Sequence, residues 1–285
     1  MDATDHSRPP SKANPSVRAT LRVGAVSYLN TKPLVYGLEG LAHGIELIYD
    51  LPSRLADALY DGQLDVALIP SIELLRHPGY SILSDACIGC HGPVLSVKLL
   101  SRCSMSRIES LALDEGSRSS AVLARILLRE RFSIEPELRI LPHGADPTDA
   151  AADAILLIGD RAIHPPTGIY LECWDLGDQW CRWAELPFVF AMWVARPGVE
   201  SPELESALGA ARDAGLANLE EIARCEAGDA GLSQAQTLHY LRDNLHFYLG
   251  PREQRGLRRF YRYAADLGIE FAAREERLHD CETPG

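Results

Sequence analysis

The sequence predicts an α/β protein built as two lobes. Short apolar, β-branched runs alternate with amphipathic helical patterns, the alternation occurs twice in the same order, and long apolar strands separate the regions. In the first third, Leu21 to Val26 reads as a strand followed by the polar turn Ser27-Tyr28-Leu29-Asn30-Thr31. Pro33 falls in the first turn of a short helix, where a missing N–H is tolerated. Ile45 to Tyr49 is a second strand, and Ser53 is expected to N-cap a helix turning Leu55, Ala58 and Leu59 inward. Val66 to Ile69 is a buried strand that stops at Pro70-Ser71.

The second third repeats this order. Leu111 to Leu113 is a strand, Asp114 to Ser120 a polar turn, and Val122, Leu123, Ile126 and Leu127 mark a helix. Leu138 to Leu141 and Ala154 to Ile158 are further strands, the latter ending at Gly159-Asp160. Asp65 and Asp153 each precede an apolar strand, and a polar turn follows each strand, so the repeat is one of architecture. Val94 to Leu100 and Phe188 to Ala195 are expected to be the crossings between lobes. The last 85 residues or so read as helices, with Ser201-Pro202 and the Ser233/Gln236 capping box as starts, an expected break near Gly215, and Gly268 as a C′ stop. These helices should pack back on the first lobe and make it discontinuous. The expected organisation is a disordered extension (1–19), lobe 1 (20–100 and 195–270), lobe 2 (101–194) and a polar tail (271–285).

At 285 residues, 46% hydrophobic and 24% charged, the chain is ordinary globular material. A net charge of −12 argues against a nucleic-acid partner, which needs a basic face. No run approaches the roughly 20 apolar residues of a membrane span, and the first residues lack the apolar core of an export signal. A cytoplasmic location is therefore expected, with seven scattered cysteines read as reduced thiols. Cys87-Ile88-Gly89-Cys90-His91 matches the C-x-x-C-H spacing of haem attachment. That chemistry belongs to exported proteins, and the motif falls short of the four ligands of a closed zinc site. Packing at a strand end is the better reading, and no metal is assigned. The four tryptophans are expected to serve core and interface packing, and Arg252, Arg255, Arg258, Arg259 and Arg262 a solvated helix face.

Ligands of open α/β sheets sit beyond the carboxyl ends of strands, where helix N-termini point. Each lobe supplies one such end rich in hydroxyls and amides: Ser27, Tyr28, Asn30 and Thr31 in the first, Ser117, Ser119 and Ser120 in the second. Free N–H groups and the helix dipole make each an anion site, worth about 0.3–1 kcal/mol from the dipole and about 1.5–3 kcal/mol per charged hydrogen bond. Such residues are also ordinary N-caps. Residue pattern alone reaches a two-lobed binder of a small anion and stops there.

Six ordered strings carry more. Val23-Gly24-Ala25-Val26-Ser27-Tyr28-Leu29-Asn30-Thr31-Lys32-Pro33-Leu34, Asp65 to Glu73, Gly92 to Val97, Leu113 to Ser120, Leu157 to Ala162 and Leu186 to Ala195 resemble the chorismate dehydratases of the futalosine route to menaquinone. The resemblance implies a clamshell like a type II periplasmic binding protein, used as an enzyme. It implies dehydration of chorismate, a dicarboxylate, to 3-[(1-carboxyvinyl)oxy]benzoate, with no metal, nucleotide or flavin cofactor. Against that reaction, Asn30 and Ser96 are the candidates for contacts at the reacting ring, donating to the departing oxygen. Ser27, Ser117, Ser119 and Ser120 are expected to hold carboxylates, with Tyr28, Ser71 and Asp160 at the same rim. Ser96 could equally bond locally, and Asp160 could cap the next turn. Glu73, His91 and Asp160 are the conceivable bases, though none sits in a recognisable acid/base constellation. A 1,4-dihydroxy-6-naphthoate synthase-like enzyme and a noncatalytic small-anion-binding protein are the alternatives. Oligomeric state is not legible.

Overall fold

A computed structural model describes residues 20–269 apart from 78 and 168, so the expected extension (1–19) and tail (271–285) lie outside the described residues. Eleven strands form two sheets among them. The first sheet holds β1 (Leu21–Val26), β2 (Ile45–Asp50), β3 (Val66–Pro70), β4 (Ser81–Cys90), β10 (Phe188–Ala195) and β11 (His246–Tyr248), in the order β11-β4-β10-β3-β1-β2. The second holds β5 (Val97–Ser101), β6 (Ser110–Asp114), β7 (Glu137–Leu141), β8 (Ala154–Ile158) and β9 (Glu172–Asp175), in the order β7-β6-β8-β5-β9.

The two sheets share one wiring plan. β2-β1-β3 and β7-β6-β8 are both parallel triplets with the first strand in the centre. Each triplet then gains an antiparallel neighbour, β10 beside β3 and β5 beside β8. The paired aspartates explain part of this likeness. Asp65 accepts the N–H of Arg22 at 2.9 Å at the start of β1, and Asp153 accepts that of Ser110 at 2.8 Å at the start of β6. Each carboxylate thus satisfies a strand-end donor of its parallel neighbour. Burial alone would raise the Asp65 carboxyl, but the hydrogen bonds from Arg22 and Arg196 overcome it and hold the group at about 2.

Chain crossings fall a few residues from where they were expected. The run Val94 to Leu100 is strand only from Val97, and that strand belongs to the second sheet, whereas β10 lies wholly in the first. Connections therefore pass between the sheets at 91–96 and at 185–187. β4 and β9 carry no clean alternation of polar and apolar residues, which is why periodicity does not reveal them. Ser53 is not a cap: its helix, Pro52–Tyr60, starts with Pro52 and has Leu51 at the N-cap position. Gly215 does not break its helix, which runs from Pro202 to Ala217. A side chain there would collide with the Pro33 backbone, so the glycine allows close packing on the Leu29–Val35 turn of 3-10 helix. Residues 245–248, expected to continue a helix, instead form edge strand β11 after a π-type turn at Tyr240–Asn244.

The Ser201 cap, the Ser233/Gln236 capping box and the positive φ of Gly268 are all present. Leu257, Phe260, Tyr261 and Ala264 of the Pro251–Asp266 helix are buried, and its five arginines are exposed. Trp180 and Trp193 are fully buried, Trp180 meeting Phe188 and Phe260 edge-on. No helix of the described residues is long and apolar enough to cross a membrane.

Candidate active site

β1, β3, β6 and β8 all point their carboxyl ends at the gap between the sheets, where a cleft of about 510 Å³, counting its open mouth, lies. Six expected site residues line it: Tyr28, Asn30, Ser96, Ser117, Ser119 and Ser120. Three do not. Ser27 is exposed and outside the cleft, because its place at the end of β1 turns it to solvent. Ser71 and Asp160 are taken up in joining the two halves of the molecule.

The Ser71 hydroxyl donates to the Val189 carbonyl at 2.7 Å, leaving its oxygen to accept from Ser119 Oγ at 3.1 Å. Ser119 Oγ in turn accepts the Ile72 N–H at 3.1 Å. Asp160 accepts the Leu29 N–H at 3.1 and 3.3 Å through its two oxygens, which corrects both readings of that residue. It neither faces the cleft nor caps its own turn; it caps the opening turn of the other lobe. Burial raises its carboxyl, and the Leu29 hydrogen bond acts against that. The first of the two expected helix N-termini is therefore occupied by the protein itself.

The second remains open. The Ser119–Phe132 helix has no side-chain cap, so its first N–H groups face the cleft together with Ser117 and Ser120. Its turn is braced from behind by Asp114, which accepts the Gly116 N–H at 3.0 Å and the Arg161 Nε–H at 2.8 Å. Arg118 is the cation among the described lining residues, and sequence reasoning passed it over inside the Leu113–Ser120 string. It also reaches across the gap to Asp57 at 2.6 Å and Glu73 at 3.3 Å. Glu73, almost fully buried, is thereby committed to Arg118 and Arg76. None of the three conceivable bases lines the cleft, whose described lining contains no carboxylate, imidazole or amine.

Buried hydroxyls without a hydrogen bond gather here. Tyr28 Oη and Ser117 Oγ, both on cleft-lining residues, are two of them. An unmet buried polar group costs about 1–3 kcal/mol, which a ligand oxygen would recover. The Tyr240 phenol is pushed up by burial and drawn down by its polar neighbours Ser96 and Asn30. Nothing in the sequence links these three residues, which lie far apart along the chain. Ser96 bonds its own turn only weakly, at 3.4 Å to the Val94 carbonyl. That turn is held by Asp175, which accepts the N–H groups of Val94 at 3.0 Å and Leu95 at 2.7 Å. Leu95 has φ of 61°, a left-handed conformation costing an ordinary residue about 1–2 kcal/mol.

The fold defines the class. A structural-genomics protein from Archaeoglobus fulgidus superposes with a TM-score of 0.69 at 18% identity, over 87% of this chain and 98% of that one. A Candida albicans gene product with the generic periplasmic binding protein fold does so with a TM-score of 0.56 at 10% identity, over 92% and 94%. The architecture is that of the two-lobed periplasmic binding proteins. Residues 21–266 match a family model described as menaquinone biosynthesis, and the chain belongs to that family. It is 30% identical over 268 residues to the chorismate dehydratase of Thermus thermophilus, covering 88% of this chain and 96% of the relative.

Proposed function

We propose that this chain is a hydro-lyase that converts chorismate to 3-[(1-carboxyvinyl)oxy]benzoate and water within menaquinone biosynthesis. The observation that carries this is the near full-length similarity to a chorismate dehydratase, joined to a cleft whose described lining is rich in donors and free of carboxylates. A dianion suits such a lining. One carboxylate docks on the open N-terminus of the Ser119–Phe132 helix, beside Ser117, Ser120 and Arg118. Asn30 and Ser96 then face the ring and donate to the departing C4 oxygen, with Tyr240 orienting both. Loss of the C3 proton and the C4 hydroxyl leaves an aromatic ring, which supplies the driving force. Because the described cleft lining offers no base, the substrate's side-chain carboxylate takes the C3 proton. The unpaired thiols of the described chain fit a reducing compartment, and we assign the protein to the cytoplasm.

Purified protein incubated with chorismate should give the dehydrated product by mass spectrometry, and chorismate esterified on its side-chain carboxylate should bind without turning over. Unchanged chorismate at high enzyme concentration would remove the assignment, and turnover of the ester would remove the substrate-assisted step.

Asp175 is a positioning residue in this scheme. Asp175→Ala should release the left-handed Leu95 and let Ser96 drift, lowering kcat about 10–100-fold with a smaller change in KM. Adding Leu95→Gly, which tolerates that φ without strain, should restore part of the loss. Equal kcat in wild type and Asp175→Ala would show that Ser96 does not depend on this brace.

A further inference from the structure

On the outer side of the first crossing, away from the cleft, three side chains from three elements converge. His91 directly follows β4, His246 opens β11, and Glu253 lies in the first turn of the Pro251–Asp266 helix. His91 Nε2 stands 2.7 Å and His246 Nε2 3.6 Å from the same Glu253 oxygen, and the two imidazoles stack with centroids 4.0 Å apart. All three potential ligand atoms lie within 4.8 Å of one another. Glu253 is 5% exposed, whereas the His91 and His246 side chains are 46% and 29% exposed. A buried carboxylate is thus covered by two partly exposed imidazoles.

The remainder of the C-x-x-C-H motif does not join them. Cys87 and Cys90 are fully buried within β4, and burial holds the Cys87 thiol in its protonated form. His91 is the part of that motif left with chemistry to do.

We propose that His91, His246 and Glu253 form a binding site for a divalent transition-metal ion, Zn²⁺ by its ligand set, with a fourth position open to solvent. Two imidazoles and one carboxylate are a borderline donor set that suits zinc and its neighbours, and three protein ligands plus water are the pattern of an open zinc site. Bonds of about 2.0–2.1 Å place tetrahedral ligand atoms roughly 3.3 Å apart, so the His246–Glu253 contact already stands near that spacing, whereas the half-exposed His91 must draw back from the carboxylate and close on His246 to complete the set. A bound ion would tie the sheet edge and the helix to the segment 91–96, which leads to Ser96. Occupancy should therefore stiffen the joint between the lobes.

The test uses the full-length protein freed of metal by a chelator. Titration with Co²⁺ should develop the visible d–d bands of a low-coordinate site and saturate at one equivalent, and Zn²⁺ should abolish the bands by competition. Zn²⁺ at a hundredfold excess over Kd should raise Tm by about 5 °C. His91→Asn and His246→Asn should each lose the bands and the Tm rise. If the less exposed His246→Asn variant fails to fold, the more exposed His91→Asn variant decides alone. Absence of stoichiometric binding overturns the proposal, and so does wild-type binding retained by a folded His91→Asn variant, since the ion would then be held elsewhere.

Discussion

Replacing Asn30 by Ala is expected to lower kcat for chorismate about 10²–10³-fold while changing KM far less. Asn30 lies in the Leu29–Val35 turn, 9% exposed, with the Thr31 hydroxyl donating to its Oδ1 at 3.4 Å. That contact occupies the amide oxygen and leaves the N–H₂ as the free donor of a side chain that neighbours the Tyr240 phenol. An N–H aimed at an oxygen that gains charge as its bond to carbon breaks acts mainly in the transition state, and losing one such donor costs about 2.7–4 kcal/mol. In the proposed scheme ground-state binding rests elsewhere, on the open helix N-terminus and Arg118. Steady-state kinetics with chorismate, alongside a thermal melt to establish folding, will read the effect. A folded Asn30→Ala enzyme within about threefold of wild-type kcat would remove this amide from the reacting end of the substrate.

Gly159→Ala should be nearly as damaging, through the fit between lobes. Gly159 has φ of 67° and ψ of −155°, a region open essentially to glycine, and forcing another residue there costs about 1–3 kcal/mol. A Cβ would also come within 2.6 Å of the Tyr28 ring, which belongs to the opposite lobe. Gly159 and Tyr28 come from opposite sides of the cleft, so the strain should be relieved by moving the two sides apart. Links that span the gap, Ser71 to Ser119 and Asp160 to Leu29 among them, would then open. A fall in kcat/KM of about 10–100-fold follows from 1.4–2.8 kcal/mol of lost closure. Small-angle scattering should show a larger radius of gyration for the variant, and Tyr28→Ala in the same chain should return it toward wild type. Unchanged scattering and kinetics in Gly159→Ala would mean that this contact does not govern closure.

Strand ends were readable from the chain because each apolar run stops at a polar turn: Val26 before Ser27, Ile69 before Pro70, Ile158 before Gly159. This places Tyr28, Asn30 and the serines 117, 119 and 120 on the cleft. The destination of a carboxylate was not readable. Asp160 and Leu29 are 131 residues apart, and whether an aspartate at a strand end faces ligand or a foreign N–H is decided by how the lobes meet. Ser71 follows the same logic, its hydroxyl taken by Val189 and Ser119. Arg118 lies within the Leu113–Ser120 string, but an arginine beside serines has no periodicity to mark it. Tyr240 was hidden for a different reason. It lies where a helical pattern passes into a π-type turn, and local pattern does not say that the turn delivers a phenol to Ser96.

The wiring of the sheets has a consequence for how the molecule is made. β5 through β9 occupy one uninterrupted stretch, 97–175, whereas the other sheet needs β10 and β11 from beyond it. As the polypeptide leaves the ribosome, the half encoded in the middle has every strand it requires first. The half that begins the chain must wait, its β4 edge unpaired, until Phe188–Ala195 and then His246–Tyr248 emerge. Maturation thus runs from the interior of the gene outward, reversing the usual order in which the N-terminal unit finishes first.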